Sequence, residues 1–456
     1  MGGLLGAIQL SLQNLSNMQT GFSVVNDNVS NINTPGYSRK RVVFTPGPID
    51  VRPFGMLGTG ATIESVESIR DYFLESRIGQ EYQARGFYEG QQYGISHLET
   101  IVAASDGSGI SDQLSSFFDS FLELAGDPSS SSLREVVLTE AGQLAQGIRS
   151  TVSRLDSLNE ANRTRIEDSV NTVNGLIDRI AEINVKLQPL LKSGRDGGSL
   201  YDERQLLLNQ LNEELDVQVS VDQSYNMVIS TSSGHLLVMG TDSSHLTTQR
   251  TMDGISILHE GTDITSEVSS GKIGGLLDFQ QSTLASTQDA LNTLASELAS
   301  AVNSIHHEGV DLDGDAGGDF FSVNPGEEAR SIAVVLTDYR QIAAAAPGSG
   351  IGDGTNAQAL ADLRDSRIVG LDNQEFGSFF SQIVFDVGMA ANGVQSNLDL
   401  QDKVLGQLET QREGVSGVSL DEEAVKLMQY QRSYQASSRL LQILDSLLEE
   451  TINIIR

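Results

Sequence analysis

An apolar seam at each end of a chain must be closed by something, and that requirement limits this sequence more than any other feature. Leu4, Ile8, Leu15, Met18, Phe22, Val25, Val29 and Ile32 follow in alternating steps of four and three, with Ser11 the one interruption. At the other end Leu420, Ala424, Leu427, Tyr434, Leu441, Leu444, Leu448, Ile452 and Ile455 keep a similar spacing. Such steps place side chains on one stripe of a helix, the coiled-coil pattern. The partner is either the opposite terminus or another molecule.

The face beside the N-terminal seam is almost free of charge. Gln9, Gln13, Asn14, Ser16, Asn17, Gln19, Ser23, Asn26, Asn28 and Ser30 make up its polar side, and Asp27 is the one charged residue before Arg39. Exposed helix faces ordinarily carry Glu and Lys, which pair and solubilise. The six Asn between Asn14 and Asn33 together oppose helix formation by about 3 kcal/mol. Such a face suits burial against other polar helices. The segment is therefore expected to be poorly ordered alone and ordered in a polymer. The plainer alternative is a helix pair closed within one chain.

Composition narrows the partners. The chain has 456 residues, room for two to four domains. With 61 acidic against 29 basic residues and a net charge of −32, it is a poor candidate for binding nucleic acid or anionic membrane. Cysteine is absent, which removes disulfides and thiolate chemistry. No apolar run approaches the roughly 20 residues that span a bilayer. Met1 to Leu10 lacks the basic start and cleavage site of a secretory signal.

Along the chain, the first helix is expected to stop at Asn33 to Tyr37, where Pro35 and Gly36 favour a turn. Short strands are expected at Val42–Phe44 and Ala61–Val66. A helix is expected from Ile69 to Ala104, with Tyr72, Phe73, Ile78, Tyr82, Phe87, Ile95, Leu98 and Ile101 buried. A shorter one covers Ile110–Leu124, and a long one runs from Leu133 to about Leu191, with a bend or break expected near Gly142, Gly147 or Gly175. Alternating apolar residues from Val217 to Leu258 predict a β unit. Helix resumes over Gly275–His307, Ala357–Leu363 and Phe376–Glu413. Gly414 and Gly417 are expected to hinge into the terminal helix.

Several strings then resemble a known family. Ser30-Asn31-Ile32-Asn33-Thr34-Pro35-Gly36-Tyr37 resembles the Ala-Asn-x-x-x-Pro-Gly-Tyr signature of bacterial flagellar axial proteins, with Ser30 in place of Ala. Ser416 to Glu423, followed by Tyr430 to Ser437, is similar to that family's C-terminal hallmark. Gly198 to Gln205, with its Leu-x-Asp-x-Arg core, Gly274 to Asp278, and His307 to Gly314 through Phe321 resemble internal stretches of the hook-associated junction proteins. The resemblance singles out Asn31, Pro35, Gly36, Tyr37, Asp202, Arg204, Gly417, Leu420, Asp421, Glu422, Gln431 and Tyr434.

What the resemblance implies is a mainly α fold with β insertions. The termini (1–38 with 415–456) pair as a coiled coil. A long-helix bundle (39–215 with 275–308 and 357–414) forms the second domain, with a short β connector. Residues 216–274 form a small β-rich outer domain, and 309–356 a further outer insertion of loops and one strand. It also implies unfolded export through the flagellar type III route with an export chaperone, without a cleavable signal peptide. An extracellular, ring-like homo-oligomer would then touch the hook protein and a second hook-associated junction protein. No cofactor and no catalysis are implied. The seam residues named above, Ala424 apart, are the expected assembly interface. Other readings are a second junction or hook protein, a secreted coiled-coil adhesin, or a surface hydrolase using two carboxylates.

Enzyme-like strings are weak. Asp311 to Asp315 has the look of a calcium loop, but the Gly and Glu positions of an EF-hand hold Ala316 and Ser322. Ser270-Gly271-Lys272 lacks the leading Gly and the following Ser or Thr of a P-loop. His259-Glu260 and His307-Glu308 lack the second His of a zincin.

Overall fold

The N-terminal periodicity forms one helix, α1 (Gly2–Ser30), and the chain turns after it with Gly36 at φ +78°. Only a residue tolerant of the left-handed region sits there without strain. In this computed structural model, residues 2–52, 55–103, 109–193, 196–221, 227–251 and 254–455 are described. An antiparallel ribbon follows: β1 (Lys40–Pro46) pairs with β4 (Ala61–Ser68), and β2 (Ile49–Arg52) pairs with β3 (Gly55–Gly58) between them.

Asp71 caps α2 (Tyr72–Val102), its carboxylate accepting from the N–H of Phe73 and Leu74. Contrary to expectation, Tyr72 and Phe73 are each 75% exposed. They occupy the capped first turn, ahead of the packed face that begins at Leu74 and Ile78. Ala104, the expected end of this helix, lies outside the described residues.

After α3 (Ile110–Gly126) comes α4 (Ser131–Lys192), an unbroken helix of 62 residues started by the Ser130 hydroxyl, which accepts from Leu133 N–H. The break expected at Gly142, Gly147 or Gly175 does not occur. One glycine costs a helix only about 1 kcal/mol, and neighbours such as Ala141, Leu144, Ile148, Val173 and Ile177 are buried on both sides.

Next are α5 (Ser199–Glu214) and two small antiparallel sheets. β5 (Val217–Val221), β6 (Met227–Thr231), β7 (Leu236–Met239) and β8 (Asp242–Ser243) pair in sequence order. β9 (Leu246–Arg250), β10 (Ile255–His259) and β11 (Thr262–Asp263) form the second sheet. The chain then re-enters helix as α6 (Gly271–Asp278), passes one π turn at Phe279–Leu284, and continues as α7 (Ala285–Glu308). Here α6 and α2 cross at backbone contact. A Cβ on Gly275 would lie 1.9 Å from the Phe87 carbonyl oxygen, and one on Gly90 2.4 Å from that of Lys272.

The remainder is β12 (Phe321–Ser322) paired with β13 (Ala333–Val334), α8 (Glu328–Ser331), α9 (Thr355–Asp362), α10 (Phe376–Ser416) and α11 (Leu420–Ile455). Gly414 lies inside α10, so the hinge is confined to Gly417 and the two residues after it. The architecture is mainly α with β insertions, as expected.

Two buried cores share α4. Val137 to Leu158 pack with α3, α7, α9 and α10, whereas Ile166 to Leu187 pack with α5, α6 and the sheets. Polar pins set the register. Asn162 Nδ2 donates to Leu276 O (3.0 Å), and Asn184 Nδ2 to Gly240 O (2.7 Å). Asn174 grips Leu246 through both its N–H and C=O (2.9 and 2.8 Å).

Residues 309–356 are not an outlying insertion, which corrects the expectation. Phe320, Phe321, Ile332 and Ile342 are buried in the bundle core, the first two against Phe117. Apolar residues spaced irregularly among Gly and Asp concealed that packing in the sequence. The buried Arg134 guanidinium holds the segment through Ile342 O (2.6 Å) and Tyr339 O (3.4 Å), and also bonds Pro128 O (2.7 Å). The Asp311 loop is closed by its own side chains. Asp311 Oδ1 accepts the N–H of Asp313 and Asp315 (2.8 and 3.0 Å), while Asp313 pairs with Arg340.

His306 closes the same segment. Its Nε2 accepts Ala343 N–H (2.9 Å), so the neutral ring donates from Nδ1 to Gly318 O (2.6 Å). Burial pushes its pKa below the ordinary histidine value; His307 and Arg134 act in the same direction, Asp311 and the Gly318 carbonyl against it. The unfolded chain therefore takes up this proton first. The stability from a neutral His306 is complete above about pH 6.5 and declines as the pH falls below it. Melting of wild type and His306→Gln between pH 7.5 and 5 should show a shallower pH slope in the variant. Parallel slopes would contradict this account.

Candidate assembly joint at the base of the terminal helices

Asn28 sits fully buried where α1, β1 and α11 meet, and every hydrogen-bonding group it carries is used. Its Nδ2 donates to Lys40 O (2.9 Å) and Glu423 Oε2 (3.1 Å). Its Oδ1 accepts from Lys40 N–H and the Tyr37 hydroxyl (both 2.9 Å). Glu423 is equally buried, and its other oxygen accepts from Lys426 Nζ (2.7 Å). Buried polar groups of this kind hold only when all are satisfied.

Around this centre the turn is tied back to α1. Asn31 Nδ2 donates to Asp27 O (2.9 Å), and Lys40 Nζ to Asp27 Oδ2 (2.6 Å). Burial, then the Asp27 carboxylate, pushes the Tyr37 hydroxyl pKa up, which keeps it a donor at any physiological pH. Arg39 crosses to the C-terminal side. Its N–H donates to Ser416 O (2.8 Å), and its guanidinium pairs with Glu422.

A second layer ties the joint to the bundle. Asp202 pairs with Arg70 (2.6 Å), which also donates to Gly198 O (3.3 Å). Burial raises the Asp202 pKa, opposed by Arg70 and by hydrogen bonds from Ser38. The Tyr201 ring carries the Arg70 and Arg204 guanidinium groups, each 5.0 Å from its centroid. Burial lowers the Arg204 pKa to about 10, and its Nη1 donates to Asn184 Oδ1 (2.9 Å).

Beyond the joint, α1 and α11 run antiparallel, since Asn28 meets Glu423 while Phe22 meets Tyr430 and Tyr434 (6.3 and 6.2 Å between ring centroids). Close approach is possible because Gly21 faces the Tyr430 ring, where a Cβ would come within 2.8 Å. Asn17 Nδ2 donates to Ala61 O (2.7 Å) and seats α1 on the ribbon.

The structure thus brings three distant motifs together: Asn31 to Tyr37, Asp202 with Arg204, and Gly417 to Glu423. Pro35, Leu420, Asp421 and Gln431 lie exposed at the edges. Of the seam residues, Val25 is buried, and Leu4, Ile8, Leu15, Met18, Phe22, Tyr434, Leu441, Leu444 and Leu448 are half-buried. Val29, Ile32, Ala424, Leu427 and Ile452 are exposed, and the Ile455 side chain lies outside the described residues. Near the joint the line on α11 facing α1 runs through Glu423, Lys426 and Tyr430, one position away from the apolar series. The residues absent from the expected interface are Asn17, Asn28, Lys40, Glu423 and Tyr430. Polar side chains carry no apolar periodicity, and the available signal was the nearly charge-free polar face of α1, on which Asn17 and Asn28 lie.

Among the described residues, no group of three His, Cys, Asp or Glu could hold a metal ion, and no helix is long and apolar enough to cross a membrane. Residues 95–321 match the family described as the flagellar hook-associated protein FlgK helical domain, and residues 413–454 match the flagellar basal body rod FlgEFG protein C-terminal family. The chain is 27% identical to flagellar hook-associated protein 1 of Bacillus subtilis, over 96% of each chain. It is 24% identical to the protein of that name from Salmonella typhimurium, over 98% of this chain and 99% of the other. The flagellar hook junction protein FlgK of Burkholderia pseudomallei has a similar fold, with a TM-score of 0.67 at 16% identity, covering 75% of this chain and 100% of the other. The joint draws Asp202 and Arg204 from the first matched region and Gly417 to Glu423 from the second, and the chain belongs to the flagellar hook-associated protein 1 family, whose members are structural components of the bacterial flagellum and not enzymes.

Proposed function

We propose that this chain forms the junction layer between hook and filament, and that the α1–α11 hairpin is its self-assembly element. The carrying observation is an apolar surface left over after the hairpin closes. Leu5 and Leu12 on α1 stay exposed, as do Val425, Met428, Leu440, Ile443 and Leu447 on α11. Each would contribute about 1.5 kcal/mol or more if fully buried by a neighbour. The exposed remainder of the polar face, Gln9, Gln13, Ser16, Gln19, Ser23 and Asn26, brings no like charges into such contacts, which matters in a chain of net charge −32.

In this reading the terminal segments 1–38 and 415–456 form the inner domain of a ring of identical subunits. The bundle and the β unit lie outside it. Export follows the flagellar type III route with a chaperone covering the ends, and the assembled ring meets the hook protein on one side and a second hook-associated junction protein on the other. The Leu444→Asp variant should retain nearly all monomer helicity by circular dichroism. A strain carrying only that variant should lack filaments and release flagellin into the medium. Normal filaments on that strain would refute the proposal.

A further inference from the structure

A cleft of about 980 Å³ lies between the faces of α2 and α5 and the outer edge of β5. β5 is an edge strand, since only β6 pairs with it among the described residues. The direction of its backbone groups follows from two bonds. Val217 O accepts from Gln83 Nε2 (2.8 Å) on the cleft side, whereas Asp216 O accepts Ser232 N–H (3.3 Å) from the neighbouring strand's end. N–H and C=O groups alternate sides along a strand, so Val219 also turns its pair toward the cleft. Gln218, Val219 and Ser220 are all exposed. An exposed edge of this kind is a template for another strand.

Two carboxylates line the cleft and each is already engaged: Glu75 lies within the field of Arg412 and Arg70, and Asp216 accepts from Ser232 and Ser269. Arg204 lines it, stacked on Tyr201 with Arg70 across the same ring, and Arg70 is already paired with Asp202. Arg204 itself has no carboxylate partner among the described residues; its hydrogen bond goes to the neutral Asn184. A guanidinium so placed favours a carboxylate.

We propose that this cleft docks an extended acidic segment of a partner protein, which adds a strand to β5 and sets a carboxylate against Arg204. Docking is tested on the full-length chain with three blocked peptides, Thr-Val-Thr-Glu-Val-Thr-Val and its Glu→Gln and Glu→Lys forms, by fluorescence anisotropy. The Glu peptide should bind about tenfold more tightly than the Lys peptide and should slow exchange of the Val219 amide hydrogen. Val219→Pro removes the outward donor while leaving the β5–β6 pairing intact, and should weaken binding about tenfold. In Arg204→Gln the Glu and Gln peptides should bind alike. Equal binding of all three peptides to the wild type, binding unaffected by Val219→Pro, or no binding at all would overturn the proposal.

Discussion

An Asn28→Asp variant is expected to release the terminal hairpin from the rest of the molecule. The change adds no bulk, but it replaces the one donor facing Glu423 Oε2 and Lys40 O with an acceptor. Two carboxylates would then share a site from which water is excluded, with Asp27 beside them. Breaking a buried, fully satisfied polar centre costs about 3 kcal/mol or more, comparable with a large part of the stability of a small domain. Limited proteolysis should cut near residues 31–39 and 416–420 in the variant and leave the bundle intact. Adding Glu423→Gln restores a donor opposite the new carboxylate and should recover part of the loss. If the single variant resists protease as the wild type does, the joint is not what holds the hairpin.

An Arg134→Met variant should have an effect of similar size at the other end of the bundle. Methionine fills much of the same volume, so the loss is chiefly polar. The carbonyls of Pro128 and Ile342, and more weakly that of Tyr339, lose their donor in a buried setting. Hydrogen bonds to a charged group contribute about 1.5–3 kcal/mol each, and stranded acceptors add to the cost. We expect a destabilisation of about 3 kcal/mol or more, confined at first to residues 309–345. Hydrogen exchange should accelerate at Ile342 and Ala345 while Ile229 and Val238 in the β unit stay protected. Uniform loss of protection would mean that the two cores unfold together.

Much of this fold was legible in the sequence because helices of this length repeat their apolar pattern many times. The β unit was legible through the alternation at Val217, Val219 and Val221. What escaped were places where packing relies on something other than apolar side chains. Gly90 and Gly275 allow two helix backbones to touch, and nothing in the apolar spacing around them announces that contact. Arg134 reads as a surface residue and is instead a core staple. The joint was half legible: the motif strings marked its location, while the polar residues that operate it, Asn28 and Glu423, resemble ordinary solvated positions until the two ends of the chain are brought together.

The undivided α4 has a consequence for how chains of this design can vary in length. At 62 residues and 1.5 Å per residue it is a strut of about 93 Å, with the bundle core on one half and the β unit on the other. Each residue inserted between Leu158 and Ile166 would swing the outer half by about 100° and move it outward by 1.5 Å. Asn174 and Asn184 would then point away from the strand ends they hold. Length changes in this stretch are compatible with the fold only in near-whole numbers of turns, such as seven, eleven or eighteen residues. The loops of the β unit carry no such restriction, so diversity among relatives should collect there, while α4 changes in steps.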